Sequence, residues 1–239
     1  MGFDETPILK DVSFSVPSGE IFIILGGSGC GKSTLLRHLI GLQEPMAGRI
    51  FIDGQELTGA SQKERESILS GIGVSFQGGA LFGSMTVLEN VALSLVEFTN
   101  LPTPAIRWIA RSKLKLVGLD GYDSHLPSQL SGGMQKRAAL ARAMAMDPKI
   151  LFLDEPSAGL DPITAAQLDE LIVHLSEILG ITFVIVTHEL ASVFTLNGRV
   201  IMLDKQEKGI VAEGRAEDLK NDRSNPAAWR FFNRSLKGR

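Results

Sequence analysis

Several short groups of residues in this 239-residue sequence have the types and spacing to handle phosphate. Gly26-Gly27-Ser28-Gly29-Cys30-Gly31-Lys32-Ser33, followed by Thr34, fits G-x-x-x-x-G-K-[ST], lies after an apolar run and opens a leucine-rich helical pattern. Glycines at these positions let backbone N–H groups turn toward phosphate oxygens, Lys32 reaches the terminal phosphates, and the Ser33 hydroxyl is placed for Mg²⁺. Cys30 sits at an unconstrained position as a small filler, and its nearness to nucleotide predicts ready alkylation. Asp154 and Glu155 end the apolar run ILFLDE. Strand alternation predicts that they face opposite ways, Asp154 toward the metal shell and Glu155 toward the attacking water. His188 ends the run ITFVIVTH, at the strand edge where open α/β sheets bind ligands, and is expected at the γ-phosphate. Ser131-Gly132-Gly133 precedes a helical pattern from about 134 to 146 and forms a second potential anion cradle, a hydroxyl with bare amides. Its anion is either the nucleotide of the same chain or one held by another copy.

These groups need a sheet to align them. Residues 20–25, 49–53, 73–76, 149–154 and 181–187 are short apolar or β-branched runs with turn or helix signals beside them. The helical spacing of Leu168, Leu171, Ile172, Leu175, Ile178 and Leu179 supplies the crossover that two parallel strands require. Residues 77–129 hold helical patterns and no convincing strand, which predicts a helical lobe inserted into an α/β domain with a mostly parallel sheet. A hairpin is expected over 199–214, followed by a basic and aromatic tail in which Asn225-Pro226 starts a short helix carrying Trp229 and Phe232 on one face.

Bulk properties narrow the partners. A formal charge of −3 and a pI near 5.8 offer no global electrostatic reason to bind nucleic acid or an anionic membrane. Mean hydropathy is +0.13, yet the apolar runs fall far short of the roughly 18 residues of a spanning helix. The N-terminus has no basic region followed by an apolar core, so no secretory signal is expected, and a lone cysteine fits a reducing compartment. Between Val74 and Leu95 the only formal charge is Glu89. So apolar a segment reads either as a socket for another protein's helix, with Phe82 and Leu88 in contact, or as core, with Leu81, Phe82, Val87, Leu88 and Val91 filling the lobe.

In order and spacing, GGSGCGKST, Gln77, LSGGMQKR, ILFLDEP, SAGLD and VTHE resemble the nucleotide-binding subunit of ABC transporters, over nearly the whole chain. The resemblance implies a P-loop NTPase (RecA-like) α/β fold with a mostly parallel sheet core, an N-terminal antiparallel β part and an inserted α-helical subdomain. One domain is expected over 1–239, with core at 1–77 and 140–204, helical subdomain at 78–139, and hairpin and tail at 205–239. The cofactors implied are ATP and Mg²⁺. The implied assembly is a head-to-tail pair in which Ser131, Gly132 and Gly133 of one copy close over nucleotide held by Gly26–Thr34 of the other. By the same carry-over Gln77 links the metal site to the helical lobe, Asp161 communicates across the dimer, and Phe3 stacks on adenine. The strand that usually precedes the adenine residue is expected to be missing.

The segments FQGGALFGSMTVLENVAL, LSGGMQKRAALARA and DEPSAGLDPI are similar to the Mla-type lipid ATPases of diderm bacteria. That likeness implies an MlaE-like permease, a periplasmic MCE-domain protein, a STAS-domain regulator, a tail that reaches the other subunit, and a place on the cytoplasmic face of the inner membrane. Other members of the wider family serve lipoprotein release or amino-acid and peptide transport, or act as soluble iron–sulfur scaffolds.

Overall fold

The computed structural model describes residues 7–233, preceded by two short strands given by their backbone, β1 (Gly2–Phe3) and β2 (Thr6–Pro7). The Phe3 side chain expected at adenine lies outside the described residues, as do Arg234, Lys237 and Arg239 of the tail.

Strand β3 (Ile21–Gly26) leads into α1 (Lys32–Leu39). A separate hairpin follows, β4 (Phe51–Ile52) and β5 (Gln55–Glu56), whose Asp53-Gly54 turn takes positive φ at both residues, as a two-residue hairpin turn demands. Next come α2 (Gln62–Leu69), β6 (Ile72–Ser75), and the helices α3 (Val87–Phe98), α4 (Thr103–Leu116) and α5 (Gly132–Ala143). The chain then alternates through β7 (Ile150–Asp154), α6 (Pro162–Leu179), β8 (Thr182–Thr187), α7 (Leu190–Leu196) and β9 (Arg199–Asp204). It ends in β10 (Gly209–Arg215), α8 (Ala216–Asn221) and α9 (Pro226–Phe232).

Six strands form one sheet in the order β10-β9-β3-β8-β7-β6, parallel throughout except for the β9–β10 hairpin. Alternation divides its residues between two apolar layers: Phe22, Ile24, Phe152, Val184 and Val186 join one, and Ile23, Leu25, Leu151, Leu153, Phe183 and Ile185 the other. A strand covered on both faces reads as an unbroken apolar run, which is why IFIIL and FVIV carry no polar residue. Because the core strands are parallel, every loop leaving their carboxyl ends emerges on one edge, and the phosphate-type motifs collect there.

Residues 11–16 alternate apolar and polar side chains but form no described strand. Val12, Phe14 and Val16 turn inward and Phe14 stacks on Phe22 with ring centroids 5.1 Å apart, yet no described strand pairs with the segment. Period-two alternation reports one buried face, and extended chain can bury that face without a hydrogen-bonded neighbour. An apolar cavity of about 520 Å³ lies between this segment and the amino-terminal parts of β7 and β8, away from the phosphate edge. Helix α2, read from the sequence only as unassigned chain, carries a complete capping box between Ser61 and Glu64.

The uncharged stretch divides. Val87, Leu88, Val91 and Leu95 are buried in the helical lobe, while Phe82 is half exposed. Glu89, its one charge, is used to start α3: its carboxylate accepts from the Thr86 N–H at 2.7 Å while the Thr86 hydroxyl accepts from the Glu89 N–H at 3.2 Å. Leu88 is therefore core and not socket, because the apolar face of α3 is needed by α4 and α5. Leu88→Glu is expected to remove about 3 kcal/mol or more of stability, read as loss of a cooperative thermal transition. Phe82→Glu is expected to leave the transition within about 0.5 kcal/mol of the parent.

Candidate nucleotide site

Helix α1 starts directly from the glycine loop. A Cβ at Gly26 would stand 2.6 Å from the Leu203 carbonyl oxygen of β9, so only glycine lets the chain leave β3 here. Gly27, Ser28 and Gly29 are exposed, and a Cβ at either glycine would meet nothing within 4 Å, so the loop presents open backbone. Lys32 is buried and its ammonium donates to the carbonyls of Gly26 at 2.9 Å and Gly27 at 3.2 Å, which holds it across the loop mouth. Ser33 faces solvent beside it and Thr34 is buried. Cys30 differs from expectation: its side chain is buried in the core layer, burial raises its thiol pKa, and its N–H donates to Gly27. A buried, protonated thiol is a slow alkylation target, because the thiolate is the nucleophile.

The carboxylate pair sits at the next two strand ends. Asp154 closes β7, pairs with Val186 of β8, and has a buried Oδ1 with no hydrogen-bond partner among the described residues. Burial first, and then the Glu155 charge, raise its pKa against the opposing pull of Lys32, Arg37 and Lys136. An orphaned, desolvated carboxylate oxygen within the field of Lys32 has the chemistry to take a divalent cation. Glu155 does not continue the strand as alternation predicted. Its φ is +47°, a left-handed turn that swings its carboxylate toward the end of β8, where Oε1 lies 2.7 Å from His188 Nδ1. The same turn lets the Glu155 N–H donate to the Val186 carbonyl at 2.8 Å. Glu155 Oε2 is buried and unpartnered, whereas the His188 ring is 56% exposed and open at Nε2.

The second cradle is built as a helix start two residues earlier than expected. Ser131 is the N-cap of α5 and accepts from the Met134 N–H at 3.3 Å, which leaves its hydroxyl hydrogen free and the Gly132 and Gly133 amides without an intrahelical acceptor. A Cβ at Gly133 would lie 2.4 Å from Thr164 Cγ2, so glycine is what allows α5 to approach α6. Helix α5 packs on α3, α4, α6 and β6, and α1 packs on β3, β7 and β8, so the two cradles rest on different parts of the molecule.

Residues 9–158 match the family described as ABC transporter. The chain belongs to that family. The cassette is 42% identical over 231 residues to a probable ribonucleotide transport ATP-binding protein, Mkl, of Mycobacterium leprae, covering 97% of this chain and 66% of that protein. It is equally 42% identical over 212 residues to the intermembrane phospholipid transport ATP-binding protein MlaF of Escherichia coli K12, covering 89% of this chain and 78% of MlaF. It thus spans slightly less than two thirds of the Mkl length. Among solved structures, it superposes with TM-score 0.78 and 34% identity on a dimeric ATP-binding cassette, MJ0796, in a post-hydrolysis state with ADP and phosphate, covering 90% of this chain and 94% of that one. CbiO1 of Clostridium perfringens, part of an ABC transporter complex, gives 0.82 and 31%, with 96% and 89% covered.

Other expected residues of the cassette have local duties too. Asp161 caps α6, accepting from the Ile163 and Thr164 amides at 3.1 Å, and the Thr164 hydroxyl, together with these amides, holds its pKa down. The described part of the tail packs on its own chain: Ala228 and Phe232 are buried, the Phe232 ring meets Phe194 at 6.1 Å, and Phe231 lines a cavity with His188 and Glu189. Sequence reasoning missed a buried polar group between α6 and α7. Ser192 stands beside the Asp169 carboxyl, whose Oδ1 is buried without a partner among the described residues, and its hydroxyl lies 3.1 Å from that of Ser157. The available signal was an acid in the buried stripe Ala165, Asp169, Ile172 and Ser176 of an otherwise apolar helix face.

Burial raises the Asp169 carboxyl from its ordinary 3.8 to about 6. The folded cassette therefore keeps a proton that the unfolded chain has lost, and the associated stability is full below the unfolded value and disappears as pH rises through about 6. Asp169→Asn is expected to raise Tm at pH 8 by about 5 °C, the equivalent of about 2 kcal/mol. That advantage is expected to vanish near pH 4, which thermal melts at the two pH values check.

Proposed function

We propose that this cassette is the ATP-binding and hydrolysing subunit of a membrane transporter. The observation that carries the reading is the Glu155–His188 pair at 2.7 Å beside the lysine-bridged loop and the orphaned Asp154 oxygen. The P-loop amides and Lys32 bind the phosphates, and Ser33, Gln77 and Asp154 are the residues to hold Mg²⁺. A cation held there would supply positive charge to the phosphate oxygens. Glu155 has one oxygen occupied by His188, so the buried Oε2 remains to accept a proton-side hydrogen bond from the attacking water and align it. His188, held by Glu155 through Nδ1, directs Nε2 to the γ-phosphate.

Two copies arranged head to tail complete the site. The free hydroxyl and amides at Ser131, Gly132 and Gly133 close over the γ-phosphate of the opposite copy, and Asp161 stands at the same seam. Support comes from the dimeric state named for the MJ0796 cassette and from the separate footing of the two cradles. The assembly docks through its helical lobe on a permease at the cytoplasmic face of the inner membrane, with Phe82 at the contact. No helix among the described residues is long and apolar enough to cross a membrane, which is consistent with a peripheral subunit.

For cargo, we infer phospholipid moved between membranes by an MlaE-like permease with an MCE-domain protein and a STAS-domain regulator. The MlaF likeness supports this, and the equally similar Mkl proteins, named for ribonucleotide transport, supply the second reading. Purification of the tagged cassette from native membranes with mass spectrometry of bound protein and lipid separates them: co-purified permease with phospholipid supports the first, and a nucleoside-dependent complex without lipid overturns it. Glu155→Gln is expected to retain ATP binding, lower turnover by about a hundredfold or more, and accumulate a dimer with ATP on gel filtration. Turnover at the parent rate would remove Glu155 from the mechanism.

A further inference from the structure

Helix α5 does more than present a cradle. Along one side it carries Lys136, Ala139 and Arg142, and the turn that follows β6 lies against them. The turn is closed by the Gly79 N–H donating to the Phe76 carbonyl at 2.7 Å, and left-handed φ values at Gly79 and Ala80 reverse the chain. A Cβ at Gly79 would sit 3.4 Å from the Ala139 methyl, so the turn is in close contact with the helix. Its carbonyls are then taken by cations: Lys136 donates to Gln77, and Arg142 donates to Ala80 at 2.7 Å and Gly79 at 2.9 Å. Downstream, buried Asn90 accepts from the Phe82 N–H at 2.8 Å and donates to the carbonyls of Phe82, Met85 and Thr86.

Lys136 differs from Arg142 in its second environment. Its stem lies in a small space with Phe76, Leu153 and Pro156, and its charge acts on Glu155, Asp154 and Glu189. A single ammonium therefore contacts the backbone of Gln77 and stands in the field of the carboxylate pair, two residues along the helix from Met134, whose N–H donates to the Ser131 hydroxyl.

We propose that Lys136 is a positioning residue for the ATPase reaction, one that sets Gln77 against the Asp154–Glu155 pair and makes the Gln77 turn and the Ser131–Gly133 cradle move as one body with α5. The proposal rests on the ATPase reading of Gln77, Asp154 and Glu155. Charge on Lys136 balances the carboxylates, and its hydrogen bond fixes the Gln77 backbone carbonyl and with it the base from which the Gln77 side chain starts. A displacement of about 1 Å at such a group is enough to cost up to about a hundredfold in rate.

The test compares Lys136→Met, which keeps the stem and removes the donor and charge, with Lys136→Arg, which keeps both, in the full chain. Hydrogen exchange at the amides of 77–82 is expected to quicken by about tenfold in Lys136→Met and to return near the parent rate in Lys136→Arg. With Mg²⁺ and ATP, Lys136→Met is expected to lower kcat by about tenfold or more while KM moves less than about threefold. Unchanged exchange at 77–82, or a kcat equal to the parent, overturns the proposal. If the parent itself lacks ATPase activity, the functional reading fails, and the exchange experiment still decides whether Lys136 holds the turn.

Discussion

The parallel register of β7 on β8 is the constraint on which the site depends. Asp154 pairs with Val186, so the residues just beyond the two strands, Glu155 and His188, leave the sheet side by side. An antiparallel neighbour would have sent one of them to the opposite edge. The same direction holds for β3 and β6, which bring the lysine-bridged loop and the Gln77 turn to that edge. Apolar layers on both faces keep this register, since a slip of one residue would exchange Ile23 and Leu25 with Phe22 and Ile24 and disturb both cores at once.

Charge at that edge is held in tension. Lys32, Arg37 and Lys136 all act on Asp154, yet none of them supplies a hydrogen bond to its buried Oδ1. Lys32 is tied instead to loop carbonyls and Lys136 to the Gln77 carbonyl. The cations lower the electrostatic cost of two adjacent carboxylates without occupying their oxygens, so those oxygens stay available.

The stretch from Val74 to Leu95 owes its lack of charge to two separate causes. Its helical half is uncharged because α3 is buried against α4 and α5, with Glu89 retained for the cap. Its loop half is uncharged because its polar needs are met by backbone carbonyls facing α5 and by Asn90, so no charged side chain of its own is required. Phe82 belongs to the loop half and, with Phe76, is a large apolar side chain left in solvent.

The sequence by itself determined the elements and the kind of chemistry. Gly26–Ser33, Asp154-Glu155 and His188 were legible because their spacing is local and each follows an apolar strand run. The helices α3, α4 and α6 were legible because their apolar residues recur at one period. What only the tertiary structure decided are the relations between residues far apart in the chain. Lys136 reaches Gln77 across 59 positions, and Glu155 meets His188 across 33. The inward Cys30 and the left-handed Glu155 likewise depend on what lies beyond the loop, the apolar layer around Leu203 in one case and the end of β8 in the other. Periodicity reports whether a residue is buried, but the identity of its neighbour follows from strand order and helix packing, which no local pattern encodes.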